Sequence, residues 1–145
     1  NTFKIRRYGT CDEPSTFCST APNSAGSGAL IGSSGSTNIS SNNLVLSVTG
    51  APANTPGIFY FGTNQASAPF GDGFRCAGGS LARLSVLFID ATGAGSYPLD
   101  FTNTNSPVGS LLAGDTRYFQ FWFRDNAFGA AGYNLSDALE ITLCN

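Results

Sequence analysis

At 145 residues the chain has the size of one domain, large enough to bury a core without a metal to hold it together. Charged residues make up only 11% of it, against about 25% in ordinary soluble domains, and the net charge is −2 with no histidine. Few cations on an acidic body disfavour a nucleic-acid partner, and the missing imidazole removes the usual base of neutral-pH nucleophilic catalysis. The chain begins at Asn1 and contains no methionine, which reads as a processed or trimmed product. No run of eighteen apolar residues predicts a membrane span, and no signal-peptide pattern occupies the front, so any export signal is expected to have been removed already. Cys11, Cys18, Cys76 and Cys144 form no CxxC pair, which argues against zinc and predicts two disulfides formed in an oxidising compartment. Their spacing leaves all three pairings open.

Residues 1–17 read as a lead segment and residues 18–145 as the β-domain proper. "TFKIRRYG" alternates, with Phe3, Ile5 and Arg7 on one side and Lys4, Arg6 and Tyr8 on the other, which predicts a short strand carrying three positive charges. That basic strand, Phe3 to Arg7, is a candidate assembly arm that would lie on an acidic body. "TCDEPSTFC" reads as a tight irregular loop around Pro14. From Pro22 to Asn43 the chain is so rich in Gly, Ser and Asn that only brief extended pieces are expected, near Ala29 to Gly32 and Thr37 to Ser40.

From Leu44 onward the periodicity sharpens. "LVLSVTG" puts Leu44, Leu46 and Val48 on one face, and "GIFYFG" is an apolar run bounded by glycines. "GDGFRCAGG" reads as a turn leading to a disulfide. "LARLSVLFID" predicts one strand, with Ala82, Leu84, Val86 and Phe88 opposite Arg83, Ser85, Leu87 and Ile89. "SYPLDFT" predicts a weaker strand near a sheet edge or bulge, because Pro98 cannot donate to a ladder. "RYFQFWFRD" and "ALEITLC" complete the set. The absence of a sustained 3.6-residue period makes the fold all-β: an antiparallel two-sheet sandwich, of which a jelly roll is one form.

In the strand from Arg117 to Asp125, Phe119, Phe121 and Phe123 share a face suited to a core. Tyr118, Gln120, Trp122 and Arg124 share the other. Amphipathic groups in that order suit an interface or a sugar-stacking platform, or alternatively an outer face covered by a long loop.

Catalytic patterns are thin. "GGSLA" lacks the last glycine of a nucleophile elbow, and Lys4 is the only lysine. Asp72, Asp90, Asp115, Asp125 and Asp137 stand at strand ends or turns, where Asp caps backbone groups. No "DxDxDG" calcium loop and no phosphate-binding glycine pattern is present, so neither a metal nor a cofactor is expected. "NIS" at Asn38 and "NLS" at Asn134 have the form of glycosylation sequons.

The segments "CSTAPNSAGSG", "NNLVLSVTGAPANTPGIFYFG", "FGDGFRCAGG" and "RYFQFWFRDNAFGAAGYNLSDALEITLC" together resemble a recurrent β-domain of secreted, surface-associated proteins in planctomycete-type bacteria. The resemblance spans Cys18 to Asn145. It implies export and a small disulfide-bonded β-domain, and it supplies no catalytic residue. It also favours pairing Cys18 with Cys76 and Cys11 with Cys144, the alternative being a small Cys11 to Cys18 loop beside Cys76 with Cys144.

The expectation for function is a non-catalytic structural subunit at the cell surface that assembles with copies of itself into a filament or layer. The alternative is a carbohydrate-binding or adhesive module that grips surface polysaccharide with the Tyr118, Trp122 and Arg124 face. A carboxylate hydrolase is the third reading.

Overall fold

The computed structural model describes residues 11–145, and these fold as two antiparallel sheets. The strands in chain order are β1 (Ser15–Phe17), β2 (Leu30–Ser34), β3 (Val45–Thr49), β4 (Pro56–Phe70), β5 (Gly73–Arg83), β6 (Leu87–Phe88), β7 (Gly95–Pro98), β8 (Thr116–Arg124) and β9 (Tyr133–Thr142). The larger sheet runs β1-β9-β8-β4-β5, with β6 also paired to β4; the smaller runs β2-β3-β7. β1 lies within the 17-residue lead and joins the larger sheet by pairing with β9. The candidate arm, Phe3, Lys4, Ile5, Arg6 and Arg7, lies outside the described residues.

The core follows from two alternations that face each other. Leu44, Leu46 and Val48 point inward from the smaller sheet, and Phe59, Phe61, Phe119, Phe121 and Phe123 point inward from the larger one. Phe59 pairs in register with Phe121, and Phe61 with Phe119, so the rings meet across the strands at centroid distances of 4.6 and 5.1 Å. Such aromatic cross-strand pairs are where a sheet gains side-chain stabilisation. Gly57 completes the row: a Cβ there would fall on the Phe121 ring.

Several expectations needed correcting, among them the irregular loop around Pro14, which holds β1. The stretch Leu81 to Asp90 is not one strand: β5 stops at Arg83, Leu84 turns in to the core, its N–H donating to the Phe59 carbonyl at 2.9 Å, and β6 begins at Leu87. The faces swap across this break, so Leu84, Leu87 and Ile89 pack on the core while Val86 and Phe88 are exposed. "GDGFRCAGG" is likewise more than a turn, for β5 runs through it from Gly73. Near Ser40 the chain forms a 3-10 turn, Ile39–Ser41, where the Asn38 side chain accepts from the Ser40 N–H. Among the described residues β7 pairs with β3 alone, so Pro98 sits in an edge strand there.

The disulfides are Cys11 with Cys144 and Cys18 with Cys76. The first, 133 residues apart in sequence, ties the segment before β1 to the end of β9. The second ties the end of β1 to β5.

Candidate functional site

β8 is the strand on which the candidate site depends. Its outer face does not lie open along its length, because β4 and β5 form a long hairpin whose far end bends over β8 and β9. Register shifts between Gly62 and Asn64 and between Gln65 and Ala68 provide the bend. Glycine permits the tightest approach there: a Cβ at Gly62 would collide with the Gly78 carbonyl across the hairpin. Phe70 near the hairpin tip then reaches Trp122 and Tyr133, with ring centroids 5.8 and 5.4 Å apart, and the Asp72 N–H donates to the Tyr133 carbonyl at 3.0 Å.

Gln120 is the centre of this closure. Its Oε1 accepts from the Tyr60 hydroxyl at 2.6 Å, the Cys76 N–H at 2.9 Å and the Ala77 N–H at 3.3 Å. Its Nε2 donates to the carbonyls of Phe74 at 2.9 Å and Ser136 at 2.6 Å. Gln120 is therefore 0% exposed and corrects the expectation of an interface residue: the hairpin covers it because it satisfies that hairpin's main chain. Tyr60, Ala77 and Leu135 form a second apolar cluster around it, and burial pushes the Tyr60 phenol well above its ordinary range.

Leu135 reaches this outer cluster through a bulge in β9. Opposite Gln120 and Trp122 the partners jump from Ala138 to Leu135, so Leu139 faces the main core while Leu135 faces outward. The Phe121 N–H, left without a ladder partner, donates to the Ser136 hydroxyl at 3.0 Å.

The four residues of the outer β8 face thus separate. Tyr118 packs edge-on against Phe17 of β1 at 5.6 Å and is half-buried, Gln120 is sealed, and Trp122 and Arg124 line an open cavity. That cavity belongs to a furrow of two adjoining cavities that share Trp122 and Arg83. The larger, about 210 Å³, lies between Ile58, Val86 and Arg124; the smaller, about 110 Å³, lies between Tyr60, Phe70 and Arg75. The Arg83 guanidinium stands 5.4 Å over the Trp122 ring, and that of Arg75 stands 5.7 Å over Phe70.

Arg75, Arg83 and Arg124 are three of the four arginines among the described residues. The fourth, Arg117, sits 3.9 Å from Asp115, which is the only ion pair among the described residues. The buried Nε of Arg75 has no hydrogen-bond partner among the described residues. Sequence reading missed Arg75 and Arg83 because their approach to Trp122 depends on how the hairpin folds back.

Asp90, Asp100, Asp115, Asp125 and Asp137 serve turns and backbone. Asp90 accepts from the Thr92 hydroxyl and the Thr92 and Ala94 N–H groups, Asp100 from Thr102 and Asn42, and Asp115 from the Leu112 N–H. Hydrogen bonding from these partners, first among them the threonine hydroxyl, holds Asp90 and Asp100 below the ordinary carboxylate range. Asp125 and Asp137 are buried and accept from the Ser24 and Ile31 N–H groups, each at 2.8 Å. Burial raises the Asp137 carboxyl above the ordinary range, partly offset by the Ile31 bond. Of the two sequons, Asn134 is fully buried, its amide donating to the Pro22 carbonyl.

Comparison with protein-family models, with curated proteins and with solved structures gave no match.

Proposed function

We propose that the chain is a non-catalytic, exported structural subunit that assembles with copies of itself into a surface filament or layer. The observation that carries this reading is the edge at β6. Val86, just before it, and Phe88, within it, are 64% and 73% exposed, while Leu87 between them packs on the core. Among the described residues β6 pairs with β4 alone. A monomer ordinarily guards such an edge with charge, proline or a covering loop, and this chain offers two bulky apolar side chains. An isologous or head-to-tail contact between copies would cover them.

Three further features agree with it: the charge-poor surface, the two disulfides, and the resemblance to a surface-associated domain, which supports export. Among the described residues no helix is long and apolar enough to cross a membrane. The basic arm, Phe3 to Arg7, would add to a neighbour's sheet edge by main-chain pairing. Its charge directs it away from the arginine-lined furrow and toward carboxylates elsewhere.

Negative-stain imaging of the purified full chain tests the reading. Ordered polymers that give way to single particles in Val86→Ser/Phe88→Ser support it; single particles from the unmodified chain under all conditions refute it.

A second reading, a carbohydrate-binding or adhesive module, is favoured by one observation, the Trp122 furrow with its unpaired arginines.

A further inference from the structure

We propose that the Trp122 furrow binds an anionic polysaccharide, its carboxylate or sulfate groups held by Arg83 and Arg124 and deepest by Arg75. The proposal rests on the carbohydrate reading above and specifies its ligand.

Charge distribution is the first argument. The described residues carry nine carboxylates and four arginines, yet three of the four cations converge on one furrow, and among the described residues none of the three has a carboxylate or hydrogen-bond partner. Arginines placed for stability alone would be expected to meet some of those carboxylates.

The second argument is preorganisation. Arg83 lies over Trp122 and Arg75 over Phe70, so each guanidinium is held by an aromatic face and has its N–H fork free for an oxyanion. A planar fork matches carboxylate and sulfate oxygens two at a time. The Arg75 Nε, buried and unsatisfied, supplies a donor that an entering oxyanion would pair.

Size and backbone chemistry then select the class of ligand. Each cavity, about 210 and 110 Å³, is smaller than the ~300–1,000 Å³ that encloses a free small molecule. They suit a polymer that places one unit at a time beside Trp122 and Val86. An acidic peptide would seek a free strand edge, but on the β4 wall of the furrow the main chain is already paired, Pro56 and Gly57 with β6 on one side and Gly57 and Ile58 with β8 on the other. What the furrow offers is apolar side chains and guanidinium forks. Sugar rings bearing acidic groups use both.

The test measures binding of the full chain to alginate, dextran sulfate and neutral dextran, at low and high salt. Alginate or dextran sulfate, or both, should bind, with affinity falling as salt rises; which of them binds identifies carboxylate or sulfate as the recognised group. Arg83→Gln and Arg124→Gln should each weaken binding about tenfold or more, the worth of a charge-assisted hydrogen bond. Arg83→Lys should recover less than the wild-type affinity, and Arg117→Gln, away from the furrow, should bind as wild type. Both glutamine variants replace exposed side chains, and an unchanged thermal midpoint would confirm that they fold. Neutral dextran bound as tightly as the charged polymers would overturn the proposal and leave the carbohydrate reading standing. Binding lost equally in Arg117→Gln would overturn the furrow as the site, and no binding to any of the three would overturn the proposal and the carbohydrate reading together.

Discussion

The Tyr60 hydroxyl donates to Gln120 Oε1 at 2.6 Å, joining β4 to β8 on the outer side of the larger sheet. That contact, with the four other hydrogen bonds of Gln120, explains why a polar side chain occupies a fully buried position in the middle of an aromatic strand. Gln120→Leu keeps the volume and removes every partner, leaving the N–H groups of Cys76 and Ala77 and the carbonyls of Phe74 and Ser136 unsatisfied. At about 1–3 kcal/mol for each buried group so stranded, we expect a loss of ~3 kcal/mol or more, read as a lower urea midpoint. Hydrogen exchange should show the Cys76 and Ala77 amides losing protection before those of Phe59 to Phe61.

Phe121 should be the costliest truncation in the core. It is fully buried, packs at a tilt against Phe59 and stacks on Phe123. Phe121→Ala should cost about 3–5 kcal/mol through the cavity it leaves. Gly57→Ala tests the same ring from the opposite side and should also destabilise, since the added methyl collides with it. Denaturant unfolding of the two variants measures both effects.

Each disulfide should contribute roughly 2–4 kcal/mol by restricting the unfolded chain. Their local effects differ. Loss of Cys18 with Cys76 should loosen the hairpin and change Trp122 fluorescence, whereas loss of Cys11 with Cys144 should free the chain ends and leave Trp122 unchanged. Double serine variants of each pair, compared by fluorescence and thermal melting, check this. Reactive thiols in the native, non-reduced protein would contradict the pairing itself.

Asp137 gives a pH dependence of defined sign. Its folded-state pKa is raised, so the folded chain holds that proton more tightly than the unfolded one. The group costs nothing below the unfolded value, and stability declines as pH rises from there through the raised folded value. Asp137→Asn retains an oxygen for the Ile31 N–H and removes the buried charge. It should match or exceed the wild type at neutral pH and flatten that decline. Asp90 and Asp100 act in the opposite sense: their pKa values are lowered, so their contribution is present above the unfolded value and is lost as pH falls through the folded one. Thermal midpoints across the acid range separate the two behaviours.

The parts of the fold that sequence made legible are those where alternation decides burial. Leu44, Leu46 and Val48, and the three phenylalanines of β8, announce their faces because one side must be apolar and the other need not be. β5 was hidden by its own glycines, which read as turn and serve in fact to let two strands approach closely. The swap between Leu84 and Val86 was hidden because a break of register leaves no compositional mark. Gln120 illustrates the limit at the site: its partners are mostly main-chain groups, which carry no sequence signature, so the residue looked like part of an exposed platform. Trp122 and Arg124 were legible as amphipathic groups on the outer face, while Arg75 and Arg83 join them only through the bend of the hairpin.

The edge at β6 is tested most directly by sedimentation velocity on the full chain across a wide concentration range, beside Val86→Ser/Phe88→Ser and a form lacking residues 1–8. The unmodified chain should sediment as large species that grow with concentration. The serine variant should remain a folded monomer, and the shortened form should assemble less if the basic arm joins neighbouring copies. An unmodified chain that stays monomeric throughout, or a serine variant that assembles as fully as the wild type, would contradict self-assembly through this edge.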